Sequence, residues 1–364
     1  MVTIGAEPLR ELVCDIFAMT GCSPAESERI GKYLVSANLT GHDSHGVTRV
    51  PRYLQWKKEG TVVADRTVKI VAETPVLAVV DGLYGFGQTV APQAVDIGIA
   101  KCRTMGLSLV GLRNAGHVGR IGDWAEMAAA AGFVSVHFVN ASGSVLVAPF
   151  GGTDRRLSTA PFAVGIPRDG AAPVILDFAT SVVAEGKVLV ASQGGKKLPE
   201  GALIAPDGRT GSDPHMLYGD YTPTGQRDTK KGSSAIRAFG EHKGSGLALI
   251  CELLGGSLTG MSATGEGRRF GNGMLSFYVN PGLVDPEGFF PRDVARYIAY
   301  FKSARPAAGC GEVLTPGEPE ERTRRQRVAE GVPLSDDTWA SIIAAAREVG
   351  VDENRIQQAT ACAR

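Results

Sequence analysis

Chemistry concentrates in residues 41 to 53, GHDSHGVTRVPRY, where two histidines, a serine, an aspartate and two arginines share thirteen positions. If residues 45 to 53 form helix, His45, Arg49 and Arg52 fall at i, i+4 and i+7 and project from one face. That face carries a group that titrates near neutral pH beside two fixed cations able to grip a carboxylate through paired hydrogen bonds. Such a set equips a protein for proton transfer to a small acid. His45 and Ser44 are the first catalytic candidates, and Arg49 and Arg52 the candidates for substrate binding. The competing reading makes Ser44 and Asp43 caps on backbone groups at a helix terminus. His42 with His45 supplies half a metal site at most, because zinc takes three or four ligands and no other close His or Cys pair is visible; we expect no metal.

Further candidates lie downstream. His117, in RNAGHVG, directly follows an apolar strand pattern, and ligands in α/β proteins bind beyond the carboxyl ends of strands. Asp177 ends the apolar run VILD, where it would accept from a ribose hydroxyl, orient a histidine or cap the next helix. HKGSG, residues 242 to 246, precedes a helix, so free amides, the helix dipole and Lys243 together could cradle a phosphate. Glycines allowing close helix packing are the rival account of that stretch. Gly317 and Glu318 lie in the turn of LTPGEPE.

These residues need positioning elements. Residues 7 to 20 show helical spacing, and Ser23-Pro24-Ala25-Glu26 reads as a capping box opening a second helix to about Leu39. A third helix, Gly46 to about Lys58, accommodates Pro51 only by starting near it or bending. From Val62 the pattern becomes strands alternating with helices: TVKIVAE, VLAVVD, a helix from Gln88 to Gly106, LSLVGLRN, a helix from Asp123 to Ala131, FVSVHFVN, PFAVGIP and VILDFAT. Thr180 to Ser192 reads as helix, and residues 193 to 235, polar and broken by Gly and Pro, as a long surface excursion. Helix entered through HKGSG, the strand GMLSFYVNP, and helices at Arg292 to Ser303, Pro319 to Glu330 and Asp336 to Val349 complete the chain. The run EERTRRQR reads as a solvated face, with a subunit contact as the alternative.

The 364 residues suffice for a large core. Lysine plus arginine equals aspartate plus glutamate at 38 each, and no stretch is strongly basic, which argues against a nucleic-acid partner. No long apolar run or basic leader suggests a membrane, so a cytoplasmic enzyme is expected. The six cysteines form no CxxC pair and read as buried free thiols. The fold class is α/β, a mixed core flanked by a helical layer from both termini. It is not a Rossmann fold, because no GxGxxG follows a strand and opens a helix.

In order along the chain, DSHGVTRVPRY, GLRNAGHVGRIG, VAPFGG, LDFATS, HKGSGLAL and LTPGE together resemble the type-2 malate/L-lactate dehydrogenase family over about residues 5 to 350. That family is similar to ureidoglycolate dehydrogenase, diketogulonate reductase, sulfolactate dehydrogenase and the cyclic imino acid reductases. The resemblance implies an oxidoreductase dependent on NAD or NADP, with a non-Rossmann nicotinamide-binding core, assembled as a homodimer. It implies His45 and His117 as the positions for proton transfer. Asp177, Phe178, Ala179, His242, Lys243 and Gly317, with Glu318 beside it, are the implied cofactor positions. It divides the chain into residues 1–75 with 291–364, a helical unit for substrate and dimer contacts, and residues 76–290, the α/β cofactor unit. Hydride transfer at C2 of a small 2-hydroxy or 2-oxo acid is the expected reaction. Reduction of a cyclic imino acid C=N bond and a ureidoglycolate-type oxidation are the alternatives. The chain departs from the family at STAPF, where Ala160 stands in place of the usual asparagine.

Overall fold

A computed structural model describes residues 2–194, 197–222 and 227–361. Its centre is a seven-stranded sheet in the order Lys69–Glu73, Leu77–Asp81, Leu107–Ala115, Gly271–Val279, Val134–Ser142, Pro161–Ile166, Val174–Ala179. Only the pair Leu77–Asp81 with Leu107–Ala115 is parallel; every other ladder is antiparallel. The sheet is therefore mixed, as expected, and lacks the doubly wound parallel order of a Rossmann domain. Helices Gly87–Met105 and Gly122–Ala130 cover one face, where Val90, Ala94, Val95, Trp124 and Ala128 meet Val110, Leu112, Val139 and Met274 in a continuous apolar core.

The termini form a second layer. Helices Ala6–Met19, Pro24–Leu39, Val50–Lys58, Asp336–Glu348 and Glu353–Ala361 share a core built on Leu9, Ile16, Phe17, Ile30, Leu34, Trp339 and Ile342. A ladder not anticipated from the sequence ties the two ends together, with Val2–Ile4 antiparallel to Val332–Leu334. Among the described residues no helix is long and apolar enough to cross a membrane.

Three local expectations are corrected. Ser23 does cap its helix, its hydroxyl accepting from Glu26 N at 3.2 Å, but the reciprocal half of the capping box is missing. Glu26 is fully buried and accepts from Asp65 N at 2.6 Å, tying the second helix to the chain's approach to the sheet. The helix expected from Thr180 begins at Glu185, because Val182 N bonds to Arg237 O at 2.8 Å and holds the preceding residues extended. The excursion 193–235 also has more order than its polarity suggests. Leu203–Ile204, Thr210–Gly211 and Ala235–Arg237 join Val147–Ala148 in a small sheet, and Leu198, Leu203, Leu217 and Tyr218 are buried beneath it. Residues 195–196 and 223–226 of that stretch lie outside the described residues. Of the cysteines, Cys22, Cys102 and Cys251 are buried and free, whereas Cys310 is exposed and Cys14 half-buried; Cys362 lies outside the described residues.

Candidate active site

The segment 41 to 53 is not one helix. Two 3₁₀ turns, Asp43–His45 and Val47–Arg49, precede the α-helix Val50–Lys58, and Pro51 sits in that helix's first turn, where its missing N–H costs nothing. Gly46 separates the turns because Asn38 leaves no room for a side chain: a Cβ there would lie 2.1 Å from Asn38 Oδ1. The Asn38 amide pins both sides of the break, accepting from Val47 N at 2.8 Å and donating to Asp43 Oδ1 at 2.6 Å. Arg327, from the charged run on helix Glu318–Glu330, closes the arrangement by donating to Asp43 Oδ1 at 2.6 Å. The basic run thus reaches the site, and so is not simply a solvated face.

His117 arrives from the other side of the cleft, just beyond strand Leu107–Ala115. Its backbone packs so tightly on helix Gly87–Met105 that a Cβ at Gly87 would lie 2.1 Å from His117 O. Val118 N, next in sequence, donates to Asn272 Oδ1 at 2.9 Å. The two imidazoles meet edge to face with centroids 5.5 Å apart. They line a cavity of about 690 Å³ together with Arg49, Arg52, Trp56, Glu185, Lys230 and Phe270. Desolvation in the cavity wall holds both histidines neutral: His117 is pushed down to about 3, by desolvation first and the Arg49 cation second. Desolvation likewise depresses His45 strongly, with His117 and Arg49 adding to it. His117 Nδ1 lies 2.6 Å from Tyr53 Oη, whereas His45 Nδ1 is buried with no partner among the described residues.

Arg49 is held by its Nε, which donates to Ser44 O at 2.7 Å, and its Nη1 stands 3.5 Å from Glu185 Oε2. Arg52 donates to Gln55 Oε1 at 3.2 Å. Ser44 is buried behind the cavity, and its contribution to this geometry is the carbonyl that orients Arg49. His42 pairs with Glu320 Oε1 at 3.3 Å rather than with His45.

The cofactor candidates gather elsewhere. Asp177 Oδ2 accepts from Gly122 N at 2.7 Å, so it caps a helix that precedes it in sequence, with Arg120 Nε 3.9 Å away. Phe178 contacts Phe239 at 5.2 Å between centroids, which brings the Val174–Ala179 edge close to the start of helix His242–Cys251. His242 and Lys243 are exposed at that helix start and do not line the histidine cavity. Gly317, at φ +94°, packs against Ile175 beside the same strand, and Glu318 accepts from Thr315 N at 2.8 Å while pairing with Lys302. Ala160 is fully buried at φ +28°, between the cavity-lining residues Thr159 and Pro161. Sequence reasoning missed Tyr53, Gln88 and Glu185. Tyr53 closes the quoted motif VPRY, and the other two carry no local signal.

Beside a mixed, non-Rossmann sheet, one cavity is lined by two neutral imidazoles and three guanidiniums, those of Arg49, Arg52 and Arg155, a set suited to an oxidoreductase acting on small acids. The chain belongs to the malate/L-lactate dehydrogenase family, whose model matches residues 4–343. It is 37% identical to hydroxycarboxylate dehydrogenase B of Escherichia coli strain K12 over 97% of this chain and 96% of that one. Its fold matches malate dehydrogenase from Pyrococcus horikoshii with a TM-score of 0.83, at 26% identity and 96% coverage of both chains. It also matches Δ1-piperideine-2-carboxylate reductase from Pseudomonas syringae with a TM-score of 0.77, at 25% identity over 96% of this chain and 99% of that one.

Proposed function

We propose that the protein is a cytoplasmic NAD- or NADP-dependent dehydrogenase that oxidises a small 2-hydroxy acid at C2, or reduces the corresponding 2-oxo acid, with His117 as the acid–base. The observation that carries this is convergence: His45, Arg49 and Arg52 come from one segment and His117 from another, yet all four line one cavity. A nicotinamide held beside them would supply or accept the hydride at C2. The residues present fit such a group. Trp56 stacks on Phe270 with centroids 4.4 Å apart to form a flat apolar wall, and His45 Nδ1 is a buried polar atom left for a ligand to meet.

Each side chain then has a task. Arg49, steadied by Ser44 O and Glu185, holds the substrate carboxylate with Arg52 beside it. Desolvation keeps His117 neutral, the state required of a base that takes the hydroxyl proton during oxidation. A bound carboxylate offsets the Arg49 charge that disfavours the imidazolium, so the substrate itself prepares His117 to hold that proton. His45, edge-on to His117, supplies a second polar contact to the C2 oxygen. Asp177, Phe178, Ala179, His242, Lys243, Gly317 and Glu318 are proposed to hold the rest of the cofactor, along the strand edge that connects Phe178 to Phe239. Residues 1–75 with 291–364 are proposed as the substrate and dimer unit, and residues 76–290 as the cofactor unit.

A homodimer is proposed from the surface. Helix Phe289–Lys302 has no buried residue, and Phe289, Tyr297, Tyr300 and Phe301 are 60%, 56%, 70% and 42% exposed. Phe289, Tyr297 and Phe301 line an apolar groove of about 580 Å³, a face that a second copy would cover. The likeness to Δ1-piperideine-2-carboxylate reductase supports a second reading, reduction of a cyclic imino acid with the same proton donor. Assaying pyruvate, oxaloacetate and a cyclic imine side by side with reduced cofactor decides between them. Turnover of a 2-oxo acid above the imine is expected; the reverse order selects the second reading.

A further inference from the structure

We propose that Tyr53 and Gln88 form a two-position switch deciding which ring nitrogen of His117 carries its proton, and that the working position has Gln88 Oε1 turned towards Tyr53. The inference rests on the acid–base role given to His117. Tyr53 Oη lies 2.6 Å from His117 Nδ1, and Gln88 Nε2 lies 2.9 Å from Tyr53 Oη. Both residues are 1% exposed, and Phe17, Trp56 and Phe86 wall in the tyrosine ring. Burial holds the phenol at about 12, so it stays a hydroxyl, with one proton to give and lone pairs to accept. Gln88 Oε1 is buried and has no partner among the described residues.

The direction of these bonds dictates what His117 is able to do. With Gln88 Nε2 donating, Tyr53 gives its own proton to Nδ1, and the neutral imidazole carries hydrogen on Nε2, the nitrogen left for the cavity. No lone pair then faces the substrate, and the ring cannot take a proton from it. A half-turn of the Gln88 amide reverses the chain. Tyr53 donates to Oε1 and accepts from Nδ1–H, and the Nε2 lone pair faces the cavity. In oxidation the substrate O–H bond then breaks as Nε2–H forms, and the resulting imidazolium keeps its Nδ1–H on Tyr53. Either position gives Tyr53 two hydrogen bonds; the turned one gives Oε1 the partner that Nε2 has in the other.

Among the described residues no other group competes for Nδ1. His45 and Arg49 are the titratable and charged neighbours of His117 besides Tyr53. Arg52, Arg155, Glu185, Lys230 and Glu266 face it across the cavity. Among the described residues only Tyr53 hydrogen-bonds the ring.

The test reads the proton directly, by ¹⁵N NMR of histidine-labelled protein without ligands, the His117 signals being identified by their loss in His117→Asn. In the wild type near pH 7 the proton is expected on Nδ1. In Gln88→Leu it moves to Nε2, and kcat falls about tenfold or more while KM stays within about twofold. Gln88→Glu, an acceptor at the same place, restores the Nδ1 proton and most of kcat. Tyr53→Phe lowers kcat as Gln88→Leu does. If Tyr53→Phe fails to fold, the near-isosteric Gln88 pair alone decides. A wild-type proton on Nε2, or one tautomer and one kcat throughout the series, overturns the switch. If His117→Ala keeps full turnover, the acid–base reading itself has failed; if His117→Ala is inactive while the Gln88 and Tyr53 variants match the wild type, only the switch has.

Discussion

The charge on Arg49 sets the terms at the level of single residues. It is the charged neighbour that disfavours a protonated His117, and it is the group proposed to bind substrate. Arg49→Lys keeps the charge but loses the fork that Ser44 O and Glu185 orient, so KM for the acid is expected to rise about tenfold or more, with cofactor affinity unchanged; steady-state kinetics with a cofactor titration checks it. Because His117 is already neutral well below the ordinary histidine range, kcat/KM for oxidation is expected to stay flat between about pH 5 and pH 8. Reduction, which needs the imidazolium, gains as pH falls. A pH–rate profile whose acid limb for oxidation sits near 6.5, the ordinary histidine value, would contradict this. The chemical core of the site was legible because His45, Arg49, Arg52 and His117 are residue types that rarely gather without an anion to serve. Tyr53 and Gln88 were not, since an aromatic at helical spacing and an amide in a helix's first turn both read as packing. Their partnership spans 35 positions, and that of Tyr53 with His117 spans 64.

Among the elements, the break at Gly46 has the largest consequence. Sequence spacing brought His45, Arg49 and Arg52 to one face by assuming a continuous helix. They do share a cavity, but through two 3₁₀ turns held by the Asn38 amide, a contact that no local pattern encodes. Gly46→Ala drives a methyl group into Asn38 and is expected to cost about 1–3 kcal/mol of stability and to misplace both His45 and Arg49. Thermal unfolding and turnover measured together check it, and a variant as stable and as active as the wild type would refute the role given to the break. Strands and helices of the central sheet were readable from period alone, because each buries a regular apolar face. Burial by distant strands was not, which is why the 193–235 excursion, polar in composition, conceals part of a core.

For the whole molecule, three desolvated neutral histidines link folding to pH, His137 in the core and His45 and His117 in the cavity wall. His117 and His137 are pushed down to about 3 by desolvation, and His45 is lowered by desolvation first, with His117 and Arg49 adding to it. Unfolded, each takes up a proton near 6.5, so the stability they contribute is complete above that value and drains away as pH falls towards 3. At pH 5 the loss is on the order of 2 kcal/mol for His117 and for His137. Calorimetry should find the unfolding temperature falling between pH 7 and pH 5, with a smaller fall in His137→Gln. The exposed apolar helix makes a separate demand: Tyr297→Glu with Phe301→Glu is expected to turn a dimer into a monomer in sedimentation, and a wild type that sediments as a monomer would remove the proposed assembly. The central claim is that imidazole and guanidinium, brought together from separate segments, handle the proton and the carboxylate of a 2-hydroxy acid. The most direct test is the single-turnover rate of His117→Ala on mixing with cofactor and a 2-hydroxy acid, followed by nicotinamide absorbance. A fall of about 10²–10⁴ with cofactor affinity unchanged is predicted, and a rate within about threefold of the wild type would contradict it.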